Sequence, residues 1–142
     1  RILQKEYGSR IKVEFHNAPL PSHGQVAISA ARAHAALSIQ SEALADSFAM
    51  EVFDKQARLS KEGEPLLFEL AEKLGADVEK LRADISSQKV IDAVTSDQRL
   101  FESRGFRATP SFMVGSESVV SEVTFEEFKK IIDNQLSKLA KN

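Results

Sequence analysis

The 142-residue chain carries no cysteine, three histidines and 21 acidic side chains. The absence of cysteine removes disulfides, thiolate metal sites and cysteine nucleophiles from the chemistry that these residues can perform by themselves. His16, His23 and His34 match no common zinc spacing and have no cysteine to complete one, so no metal site is expected. His16 reads as the end of a strand, and His34 as a packing residue on an Ala-rich helix. Lys12 and Glu14 alternate with apolar neighbours, which turns Glu14 outward rather than into a buried acid site. One further step stands out, Ala108-Thr109-Pro110-Ser111 directly before the apolar run Phe112-Met113-Val114. Taken alone, Thr109-Pro110 reads as an ordinary trans turn, since only about 5–6% of X–Pro bonds in folded proteins are cis.

The elements that must position these residues are legible in the pattern. Arg10–His16 alternates Ile11, Val13 and Phe15 with charged residues, the period of a strand, and Pro19 and Pro21 end it. The stretch 25–40 is Ala-rich at helical spacing, and 42–58 continues helically with Leu44, Phe48 and Val52 on one face. Pro65 opens another helix, Gly75 stops it, and Asp77 caps the next. A further helix from about Lys89 ends near Gly105. Ser111–Val114 and Val119–Val123 read as two short strands joined by the turn Gly115–Ser118. Thr124 and Glu127 then form a capping box ahead of the stripe Phe125, Phe128, Ile132, Leu136 and Leu139. Phe48, Phe53 and Phe68 are expected in the core, while Glu126, Glu127, Lys129 and Lys130 form a solvated face with pairs along their own helix.

Composition excludes several classes. Nineteen basic against 21 acidic side chains leave a net charge of −2, without the cationic surplus that nucleic-acid binding needs. No apolar run is long enough to span a membrane. The chain opens on Ile2 and Leu3 with no cap before them, and Gly8 reads as the residue just past a helix end, with Lys5 in the last turn. The chain is therefore expected to enter in mid-helix. A helix running directly into the strand Arg10–His16 implies an earlier parallel strand, expected before Arg1. The order is helix end, strand, four or five helices, strand, strand, helix.

That order, with Ala108-Thr109-Pro110-Ser111-Phe112-Met113-Val114-Gly115 after a helix ending in Gly105-Phe106, resembles the DsbA-like branch of the thioredoxin fold. The strand running into Pro19-Leu20, the segment His23–Ala36 and Leu74-Gly75-Ala76-Asp77 extend the likeness over the chain. It is sharp only around Thr109-Pro110. Ala108 stands where the family usually has Gly, and Ala43-Leu44 replaces an aromatic pair. The resemblance implies an α/β class, a thioredoxin-like fold with a helical insertion, in one domain over 1–142. The thioredoxin part would be about 1–23 and 106–142, the insertion about 24–105, and the first core strand would lie outside the sequence. It implies a thiol–disulfide oxidoreductase whose Cys-x-x-Cys motif lies upstream of residue 1, with no catalytic residue and no cofactor within these residues. The Thr109-Pro110 bond would be cis and would face the cysteine pair, leaving the Thr109 backbone to pair with an extended client. Ala108, Thr109, Pro110 and Phe106 become the substrate-binding residues, with Phe106 and Met113 as exposed apolar contacts. Partners would be cysteine-containing client proteins and a redox partner protein, and the location periplasmic or otherwise extracytoplasmic.

Two other readings use the same residues. Glutathione-dependent isomerases and transferases of the kappa type resemble this layout and use an upstream serine. A redox-inactive peptide-binding module would keep the Thr109-Pro110 surface without cysteines. Losing a central strand costs on the order of 10 kcal/mol at ~25 cal/mol/Å². Residues 1–142 as a lone monomer are therefore expected to fold poorly unless upstream residues or a swapped copy complete the sheet.

Overall fold

The computed structural model describes residues 2–120 and 123–140, and these are mostly helical. The elements follow in the order α1 (Ile2–Tyr7), α2 (Gly24–Gln40), α3 (Glu42–Asp54), α4 (Gln56–Glu62), α5 (Glu64–Lys73), α6 (Val78–Asp84), α7 (Gln88–Ser103), β1 (Ser111–Val114), β2 (Glu117–Val120) and α8 (Phe125–Leu139). The chain divides into two compact units, one formed by Arg1–Glu14 with Arg104–Asn142, the other by Phe15–Ser103.

The Phe15–Ser103 unit is a cluster of six helices, α2 to α7, rather than the four or five expected. Small residues let α2 approach its neighbours closely, so Ala33 and Ala36 are buried beside Leu37. Phe48, Leu66, Leu67, Leu70, Leu81 and Val90 complete a continuous core around them. The helix expected over 42–58 is interrupted at Lys55. The Lys55 amide reaches both Glu51 and Val52 carbonyls, at 3.1 and 3.3 Å, a tightened last turn that closes α3 before α4 begins. Phe53, expected in the core, is 55% exposed. Five residues past Phe48 it lies about 140° round the helix, off the buried face. The stops read from sequence have a geometric basis here. Past α5 the Gly75 amide donates to Glu72 O at 2.9 Å and the Ala76 amide to Ala71 O at 3.0 Å, a Schellman closure with Gly75 at φ +81°. Asp77 caps α6 by accepting the Lys80 amide at 2.9 Å, and the Gln40 side chain brackets the Asp77 backbone with two 3.0 Å bonds.

In the other unit β1 and β2 form an antiparallel hairpin with Ser111 opposite Val120 and Val114 opposite Glu117. Gly115 opens its two-residue loop at φ +60°, and a Cβ there would stand 2.6 Å from Gln135 Oε1 of α8. β2 spans Glu117–Val120 rather than Val119–Val123, of which Ser121 and Glu122 lie outside the described residues. The strand expected over Arg10–His16 does not form. Ile11–Phe15 has the alternation of a strand, but among the described residues the only ladder is β1 with β2. No face of the segment is fully covered either, Val13 being 57% and Phe15 45% exposed. α8 begins with the expected capping box: the Glu127 amide donates to Thr124 Oγ1 at 3.2 Å, and the Thr124 amide to Glu127 Oε2 at 2.8 Å. No described helix is long and apolar enough to cross a membrane.

Candidate functional site

The loop between α7 and β1 holds the residues singled out by sequence. The Thr109–Pro110 peptide is cis, and Ala108, Thr109 and Pro110 are all exposed. Two short bonds fix the loop from within. Ser111 Oγ donates to Ala108 O at 2.5 Å, closing a turn over Thr109-Pro110, and Arg107 Nη1 donates to Phe106 O at 2.8 Å. Neither bond uses the Thr109 backbone, and among the described residues no hydrogen bond engages it. Proline cannot donate, so the donors of the Thr109-Pro110 step are the Thr109 amide and hydroxyl.

Phe106 is not part of the exposed surface expected of it. It is buried, 7% exposed, and anchors the chain ahead of the loop. Met113 is half-exposed, as is Phe112, whose ring packs edge-on against Phe128 of α8 with centroids 4.8 Å apart. Ser118 Oγ donates to Met113 Sδ at 3.2 Å, holding that side chain across the hairpin. The exposed apolar side chains nearest in sequence to Thr109-Pro110 are therefore those of β1, Phe112 and Met113, and not Phe106.

The same unit includes contacts that sequence reasoning missed. Tyr7, the only tyrosine, is buried at the end of α1, and its hydroxyl donates to Asp133 Oδ1 at 2.8 Å on α8. Burial, then the neighbouring Asp133 carboxylate, raises its pKa above the ordinary 10.0. Lys129, expected to pair along its own helix, instead forms an ion pair with Glu6 of α1. A lone tyrosine just before the helix-ending Gly8 was the signal available in the sequence.

A second polar cluster lies in the Phe15–Ser103 unit. His16 carries no strand end; its Nδ1 donates to Asp97 Oδ1 at 2.7 Å. Asp97 Oδ2 accepts the Asn17 backbone amide at 2.8 Å, and the Asn17 side-chain nitrogen meets His34 Nδ1 at 3.2 Å. His34 is buried on α2 against the Phe15 ring, with centroids 4.5 Å apart. Burial lowers its pKa from 6.5, opposed by the carboxylates of Asp46, Glu42 and Asp97. Asp97 gave no sign in sequence, being one of several polar residues on α7. Among the described residues no three His, Asp or Glu side chains converge on a metal-sized site.

A helix end, a long helical segment, an exposed Thr-Pro loop, a hairpin and a capped terminal helix thus follow one another along the chain. The family profile for the DSBA-like thioredoxin domain matches residues 2–133, and the chain belongs to that family. Comparison with curated proteins finds no match, and comparison with solved structures finds none.

Proposed function

We propose that the protein acts in thiol–disulfide exchange on folding proteins outside the cytoplasm, with residues 1–142 as one domain and the Ala108–Ser111 loop as its client-facing surface. The family match over residues 2–133 carries this reading. The chain has no cysteine, so the reacting sulfurs would come from a Cys-x-x-Cys motif outside these residues. In such an exchange a thiolate of one partner attacks the disulfide of the other. A mixed disulfide forms and the departing sulfur leaves as thiolate; a second thiolate resolves it, so one disulfide is made for each one broken. The contribution of this chain is positional. The Thr109 backbone, which no hydrogen bond engages among the described residues, would pair with an extended client segment, and half-exposed Met113 on the following strand would offer an apolar contact.

The test is intact mass and N-terminal sequencing of the protein as made by its own cells, followed by an insulin-reduction and a dithiol-oxidation assay. A Cys-x-x-Cys motif shortly before Arg1, with activity abolished by thiol alkylation, supports the proposal. A mature protein without cysteine and without activity overturns it in favour of a redox-inactive peptide-binding module, the reading that the cysteine-free composition favours.

A further inference from the structure

The cluster around His34 has no part in the proposed exchange, and its bonding is specific to one protonation state. The Asn17 side-chain nitrogen faces Asp97 Oδ2, at 3.5 Å, as well as His34 Nδ1. A carboxylate only accepts, so this end of the amide is the NH2 group, and His34 Nδ1 must be the accepting nitrogen. The ring proton then sits on Nε2, which is buried and has no hydrogen-bond partner among the described residues. Asn17 ties the segment His16–Pro19 to α2 through His34 and to α7 through Asp97. Gln98 Nε2 adds a second tie to α7 by donating to Pro19 O at 3.3 Å.

We propose that Asn17 and neutral His34 form an acid-operated latch, which holds the segment His16–Pro19 against α2 and α7 and releases it when His34 takes up a proton. Protonation puts a hydrogen on Nδ1, facing the Asn17 NH2 group, donor against donor. Turning the amide over would satisfy His34 but set the Asn17 oxygen against Asp97 Oδ2. It would also leave a buried cation with its Nε2–H unpaired. The charged groups around the ring are Glu42 and Asp46 from α3 and Asp97 from α7. Their negative charge softens this penalty, but among the described residues it supplies no acceptor for Nε2–H. His16, on the same segment, faces Asp97 as well, its Nδ1 donating to Oδ1 at 2.7 Å.

The closed state prefers neutral His34, so its pKa there is depressed and the open state binds the proton more readily. Stability of the latch is therefore full above the ordinary 6.5 and declines as pH falls below it, about tenfold per pH unit until the closed-state pKa is reached. The experiment follows the Asn17 amide by hydrogen exchange and the His34 ring by NMR in the full chain, from about pH 7.5 to about pH 5.5, with intrinsic exchange divided out. The expected result is a fall of about tenfold in Asn17 protection that tracks the opening-linked protonation of His34, with Leu66 and Leu67 protection unchanged. In His34→Gln, which cannot titrate, Asn17 protection is expected to be flat over the same range. An Asn17 protection that stays constant in the unmodified chain overturns the latch, whether or not the variant folds. So does an equal fall in His34→Gln.

Discussion

The two units of this chain spend their apolar residues differently. In Phe15–Ser103, thirteen buried side chains from Ala33 to Val90 form one continuous cluster. In the unit of Arg1–Glu14 and Arg104–Asn142, the buried apolar residues among those described are Tyr7, Phe106, Val119 and Ile132. Val13, Phe112, Met113, Val120, Phe125 and Leu139 are exposed there, although several lie in patterns that read as buried faces. The first unit is built round that single core. The second is held by individual bonds, such as Tyr7 with Asp133 and Thr124 with Glu127, and by a two-stranded sheet that is marginal by itself. The contrast teaches that the loop carrying the family resemblance sits on the less consolidated of the two units.

The comparison can be broken most directly in the larger core. Phe48→Ala removes the largest fully buried side chain and should cost about 3–5 kcal/mol, read as a shift in the denaturation midpoint. Ile132→Ala on α8 should cost less, about 2 kcal/mol, because half-exposed neighbours leave less of a closed cavity behind. Equal costs at the two sites would mean that the second unit is as well packed as the first. Hydrogen exchange sharpens the point: β1, β2 and α8 amides should exchange through openings of lower free energy than those of α2 and α5.

The sequence disclosed what local physics controls. Gly75 could stop α5 because only a residue tolerant of positive φ fits the Schellman closure, and Asp77 and Thr124 act as caps through bonds to amides three residues on. The Thr109-Pro110 loop was legible for the same reason, as a local step between a helix and a strand. What failed depended on partners distant in sequence. The alternation of Ile11, Val13 and Phe15 marks a segment able to be a strand, yet a strand exists only with a ladder beside it. Phe106 reads as surface because nothing in the residues around Pro110 tells which aromatic turns inward. Asp97 joins His16 and Asn17 across some eighty residues, a convergence that no periodicity encodes.

The smallest effect tests whether single bonds do hold the second unit. In Thr124→Ala the Glu127 amide loses its cap, at a cost of about 1 kcal/mol to α8. The Glu127 carboxyl is held below its ordinary 4.5 first by the Thr124 side chain and then by the Thr124 backbone amide. Removing the hydroxyl should therefore move that carboxyl part of the way back up, by an amount an NMR titration can resolve. The sign follows from the depressed pKa: the box stabilises the chain above pH 4.5 and is lost as pH falls through the folded value. Asp77→Ala is the matched control in the first unit, where the Gln40 side chain still grips the Asp77 backbone after the cap is gone. If α8 frays in Thr124→Ala while α6 stays protected in Asp77→Ala, the difference between the units lies in tertiary support and not in the caps themselves. Similar fraying in both would place it in the caps.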